Sequence, residues 1–137
     1  MYSLFKLEKQ HLELKRIIEN FCAQLQNEIT KSKSVELANF LIVISKKINL
    51  HLILEDKILY PNLNNHSDIK INQKSKMFME EMGSIKKEFG LYFNRWGFST
   101  NIDSNPNDFI NESHDIFDAL SNRIKREEEE LFPLLTL

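Results

Sequence analysis

Apolar residues recur along this chain at alternating steps of three and four, the spacing that turns one face of an α-helix toward a core. Between Leu37 and Tyr60 the inward positions read Leu37, Leu41, Ile44, Ile48, His51, Glu55 and Ile58. Near the end of the chain they read Leu120, Ile124, Glu127, Leu131 and Leu134, and near its start Leu4, Leu7, His11, Leu14, Ile18, Phe21 and Leu25. A further stripe between them is Ile71, Ser75, Phe78, Met82, Ile85, Phe89, Tyr92 and Trp96. The pattern predicts four long helices, three of which carry imidazoles or carboxylates where the core belongs. Each such group would pay a desolvation cost if unpartnered. Polar groups projecting inward from three helices find their most economical common partner in a metal ion.

Start and stop signals bound these helices. Ser3 is an N-cap residue for the first, which runs to about Glu28 or Thr30. Lys31, Ser32 and Lys33 link it to a second helix capped by Ser34, with Glu36 in its first turn. Pro61 sets the end of that helix at Tyr60, because proline disfavours helix for the residue before it. Asn62 to Ser67 is a polar loop, and Asp68 or Asn72 opens the third helix, which Gly97 to Asn105 closes. Asn105 and Pro106 then cap and start the fourth, which stops at Pro133 or a residue or two later. Helices of roughly 25 to 30 residues, about 40 Å long, joined by short links imply antiparallel neighbours. The expected fold is therefore all-α, an up-down-up-down four-helix bundle forming a single domain over residues 1–137. In that topology His11, His51, Glu55, Met82 and Glu127 come to a similar depth.

Composition narrows the reading further. With only 3 glycines and 3 prolines in 137 residues, the chain has few breaks and should be mostly helix. A net charge of -2 gives no reason to expect nucleic acid or an anionic membrane as partner. The single cysteine, Cys22, excludes an internal disulfide and fits a reducing compartment. Charges interrupt the opening segment, so it does not read as a signal peptide. No stretch approaches the roughly 20 apolar residues of a membrane span, and a soluble cytoplasmic protein is expected.

His51-Leu52-Ile53-Leu54-Glu55-Asp56-Lys57-Ile58-Leu59-Tyr60-Pro61 resembles the second-helix signature HxxxE(E/D)xxLYP of the hemerythrin-like (HHE cation-binding) family. The segment from Arg123 to Pro133 resembles its last-helix signature HIxxEEExLFP in everything but the first residue, and the surroundings of His11 resemble the first-helix pattern. The resemblance implies a di-iron centre bridged by two carboxylates. Carried over, His11 and His51 would serve one metal, with Glu55 and Glu127 as the bridging carboxylates. Met82 and Arg123 stand where histidines of the second metal would be. Neither suits iron: a thioether prefers softer ions, and a guanidinium has no lone pair to give.

Arg123 lies four residues before Glu127 on the same face, close enough to supply the positive charge of a second metal by pairing with Glu127 or Glu55. Three functions follow as expectations. The first is a sensory or regulatory domain, related to oxygen, redox or metal, that holds at most one Fe, Mn or Zn ion and neither carries oxygen nor acts as an enzyme. The second is a metal-free bundle acting as a protein-interaction module, with Arg123 tying its polar core. The third is a working di-iron protein with Glu80 or Glu81 as substitute ligand. Each residue also has a bland role open to it. His11 could be a core histidine, His51 and Glu55 a local pair, and Glu127 a solvated member of the run Glu127 to Glu130. Leu91, Tyr92, Phe93, Trp96 and Phe98 make one helix end apolar nearly all round, which calls for packing by the following loop or by a partner, including self-association.

Overall fold

The structure, a computed structural model, describes residues 2–135. Among them the long helices are α1 (Tyr2–Gln24), α2 (Lys31–Leu54), α4 (Ile69–Trp96) and α6 (Pro106–Arg126). α2 runs on through a wide π-helical turn, Glu55–Leu59, into the short α3 (Tyr60–Asn64). α5 (Ser99–Ser104) lies in the link between α4 and α6. A second π turn, Glu127–Leu131, and a 3-10 turn, Phe132–Leu134, follow α6. No strand occurs among the described residues. Cross-helix pairs fix the directions: Lys33 with Gln24 and His51 with His11 run α1 and α2 antiparallel, and Arg95 with Glu112 and Arg123 with Glu81 do so for α4 and α6. The result is the all-α, up-down-up-down bundle that the stripes predict.

Several boundaries differ from expectation. The N-cap expected at Ser3 turns on a side chain outside those described, and α1 ends at Gln24, earlier than expected. Thr30, not Ser34, caps α2: its hydroxyl accepts from the Lys33 amide at 3.1 Å, while the Ser34 hydroxyl donates to the Thr30 carbonyl. Asp68 caps α4 by accepting from Lys70 N, as expected. Most consequential, helix does not stop at Tyr60. Pro61 lacks an N–H and its ring opposes the carbonyl four residues back. The preceding turn is widened instead, with the Tyr60 amide bonding the Glu55 carbonyl five residues away. Pro133 follows the same arrangement, with the Phe132 amide on the Glu127 carbonyl. The extra residue in the turn shifts the inward register by one: Leu59, not Ile58, is fully buried.

Running through Pro61 makes Lys31–Asn64 a single 34-residue helix, and by length and composition it is apolar enough to cross a membrane. This corrects the expectation that no such stretch exists. Leu37, Leu41, Ile44 and Ile48 on its inward side are core, together with His51 and Glu55, so the bundle itself uses that face. Val35, Ile42, Val43, Leu50 and Ile53 stay exposed on the other.

The apolar interior falls into two clusters. The larger contains Leu14, Phe21, Ile48, Leu52, Phe117 and Ile124, and includes Trp96 with Ile102 of α5 packed into the same cluster. The smaller contains Leu7, Leu59, Tyr60, Leu63, Phe78, Leu131 and Phe132. Buried polar residues mark the junction of the two: His11 lies between Leu7 and Leu14, Glu55 between Leu52 and Leu59 and Glu127 between Ile124 and Leu131, with His51 and Arg123 one turn away among residues of the larger cluster. Within the apolar helix end, Tyr92 and Trp96 are core and Phe93 is half-buried, leaving Leu91 and Phe98 exposed.

Candidate metal centre

His11 and His51 approach from adjacent antiparallel helices until their Nε2 atoms stand 2.9 Å apart. Glu127 Oε1 lies 3.0 Å from His11 Nε2 and 3.8 Å from His51 Nε2, and Glu55 Oε2 lies 3.3 Å from His51 Nε2. One ligand atom from each of these four buried residues falls within 4.8 Å of every other. Donors about 2.1 Å from one ion and at right angles to each other stand about 3 Å apart, so these separations suit a single cation.

The outer nitrogens settle which way the imidazoles point. His51 Nδ1 is 2.8 Å from the amide oxygen of Gln10, and His11 Nδ1 is 3.4 Å from the Glu128 carboxylate. Both partners are acceptors, so with a metal between the rings each Nδ1 would carry the proton and each Nε2 would turn its lone pair inward. Two lone pairs cannot face each other at that distance without a cation between them, either a metal or a proton. Glu55 makes the same demand: it is buried and both carboxylate oxygens lack a hydrogen-bond partner. The four residues fit one metal ion.

The far side of Glu127 faces a cation of the chain's own. Glu127 turns Oε1 toward the imidazoles and Oε2 toward Arg123 Nε, 3.4 Å away. The other guanidinium nitrogens are also engaged, with Nη1 on Glu81 at 3.2 Å and Nη2 on the Tyr60 hydroxyl at 3.1 Å and the Phe78 carbonyl at 2.6 Å. The group lies over the Phe78 ring, 4.3 Å from its centroid. Glu127 thus links the imidazole pair to a fixed guanidinium. Met82 is buried at the same level and lines a cavity of about 20 Å3 beside His51, Glu55, Arg123 and Glu127.

Glu80 and Glu81 do not join the converging groups, which corrects the reading of either as a substitute ligand. Glu80 is exposed, and the Glu81 carboxylate is held outward by Arg123 and by Arg126 at 2.6 Å. Glu127 is not a member of a solvated face, and Glu128 is only partly so. Lys15 grips the Glu128 carboxylate at 2.5 Å while Glu128 meets His11. Sequence reasoning missed Gln10 and Glu128 as outer partners of the histidines, and Tyr60 and Phe78 as partners of Arg123. Their positions off the stripes, or within an apolar one, carry no polar signal.

Without a metal the site's charges are redistributed. Burial disfavours the His51 imidazolium, but Glu127 and Glu55 outweigh it and hold its pKa up to about 9. Burial pushes the Glu55 carboxyl up to about 8, helped by the neighbouring Glu127 charge. Burial acts on Glu127 in the same sense, yet the His11 hydrogen bond and the neighbouring His51 imidazole overcome it and hold that carboxyl well below the usual range.

An antiparallel four-helix bundle that gathers two imidazoles and two carboxylates from three helices has the architecture of the histidine–carboxylate cation-binding bundles. Residues 3–135 match the Hemerythrin HHE cation binding domain, and the chain belongs to that family. No curated protein and no solved structure matches the chain.

Proposed function

We propose that this protein is a hemerythrin-like domain holding one divalent ion through His11, His51, Glu55 and Glu127, in a sensory or regulatory role in the cytoplasm. The reading rests on one observation, the convergence of the His11 and His51 Nε2 atoms, 2.9 Å apart, with a carboxylate oxygen of Glu55 and of Glu127, all four within 4.8 Å of one another. Two imidazoles with carboxylates suit Fe(II), Mn(II) or Zn(II). A bound ion would supply a Lewis-acidic centre, redox-active if it is iron. Around it, this chain's residues orient the imidazoles through Gln10 and Glu128 and seal the site between two apolar clusters. Met82 and Arg123 argue against oxygen carriage and two-electron chemistry, since a second metal finds no ligands there. What supports sensing over catalysis is that same loss.

A metal-free reading has its own support. With His51 protonated and Arg123 bonded to Glu127, the polar layer is charge-compensated by the chain alone. In that case the protein is an interaction module whose core is tied by Arg123. Elemental analysis of protein purified without an affinity tag, from iron- and zinc-supplemented cultures, separates the two readings. One ion per chain, absent from His51→Ala and Glu127→Ala, is the expected result. No metal in the wild type leaves the structural reading, and two per chain overturns the assignment of Arg123.

A further inference from the structure

The gap between α2 and α4 is lined by none of the four candidate ligands. Gly90 opens onto it and Gly83 onto its continuation toward Tyr60, and a Cβ built at either meets nothing within 4 Å. This leaves a groove of about 370 Å3, within the range of small-ligand sites. Its floor is apolar, with Leu52, Met82, Phe89 and Phe93 among the lining residues. Its polar groups are the amides Asn49 and Asn94, the hydroxyl of Ser45 and the ammonium of Lys86. No lining residue of the groove is acidic, and Lys86 has no ion-pair partner among the described residues. Lys86 also borders the adjoining pocket of about 140 Å3, whose lining includes Asp56, without an ion pair between the two. An apolar floor beneath an unpaired cation and two amides complements one chemistry: a hydrophobic body ending in a single negative charge.

We propose that this groove binds a small amphipathic monoanion, its aliphatic or aromatic body over Leu52, Met82 and Phe89 and its carboxylate paired with Lys86. Leu52 and Met82 also wall the cavity beside the polar cluster, so one layer of side chains separates the occupant from His51 and Glu55. Binding needs no metal and is tested independently of one.

Calorimetric titration of the full chain with decanoate, below its micelle concentration and in the presence of chelator, reads the site directly. Saturable binding of one decanoate per chain is expected. Gly90→Leu fills the groove from a helical position with free space, so it should keep or raise the thermal midpoint while weakening decanoate about tenfold or more. Lys86→Glu should weaken decanoate by about tenfold and leave decanol unaffected. Absence of saturable binding, several decanoates per chain, or affinity that Gly90→Leu leaves unchanged each overturns the proposal.

Discussion

At the scale of single residues, the behaviour of this protein turns on how few cations its buried layer holds. In the metal-free state His51 and Glu55 keep their protons more tightly than they would in the unfolded chain, where values near 6.5 and 4.5 apply. A group with a raised folded pKa contributes stability that is complete below its unfolded value and disappears as pH rises through its folded value. For Glu55 that window runs from 4.5 to about 8, and for His51 from 6.5 to about 9. The thermal midpoint of chelator-treated protein should therefore fall between pH 5 and 9, most steeply where the windows overlap. Melts that stay flat or rise over that range would contradict the assignment. Metal affinity should move the opposite way, strengthening with pH as the ligands lose protons.

Arg123 is the other decisive residue. It is buried with four acceptors around it, and Arg123→Ala strands Glu127 as well as the cavity it leaves, a change expected to cost about 3–5 kcal/mol in denaturant unfolding. A loss below about 1 kcal/mol would place Arg123 among ordinary surface pairs. Replacing both Met82 and Arg123 by histidine restores the missing donors, and the metal content should rise from about one to about two per chain. Unaltered stoichiometry in a folded double variant would show that the second position was lost for reasons beyond these two side chains.

At the scale of elements, the two π turns do the positioning. Both begin at a carboxylate of the site, Glu55 or Glu127, and both precede a proline by two residues. Proline prevents the turn from closing to α geometry, and the wider turn sets the register of the residues around the acid. Pro133→Ala returns an N–H to the backbone and lets the turn tighten, which shifts the Glu127 side chain. Metal affinity should drop by about tenfold with helix content unchanged by circular dichroism, as expected for a supporting rather than a ligating position. Equal affinity in Pro133→Ala and wild type would show that the turn is incidental.

The same elements mark where the sequence was readable and where it was not. Periodicity placed His11, His51, Glu55 and Glu127 on inward faces because a 3.6-residue repeat converts position into direction. It failed at Ile58, since a π turn adds a residue that no hydrophobic pattern announces. It also failed at Lys31–Asn64, where Pro61 read as a stop and became part of a continuous helix. Thr30 and Ser34 are both capping residues, and only the path of the backbone decides between them. Gln10 reaches His51 across a helix pair, a relation that spacing along one helix does not contain.

At the scale of the whole molecule, a charged layer lies between two apolar clusters in an otherwise oily bundle. Four helices with stripes of Leu, Ile and Phe could slide past one another by a turn at little cost, because one aliphatic contact resembles the next. Here a slide would bring a carboxylate against Leu14 or Leu131 and leave a guanidinium without its acceptors. The polar layer thus works as a registration key, which permits one axial alignment of α1, α2 and α6 and penalises the rest, as a buried polar residue does in a coiled coil. Of its members, Arg123 is covalently permanent and the cation between the imidazoles is exchangeable. Alignment at the α4–α6 seam is therefore built in, while alignment at the α1–α2 seam is tightened or relaxed by whatever cation the histidines hold.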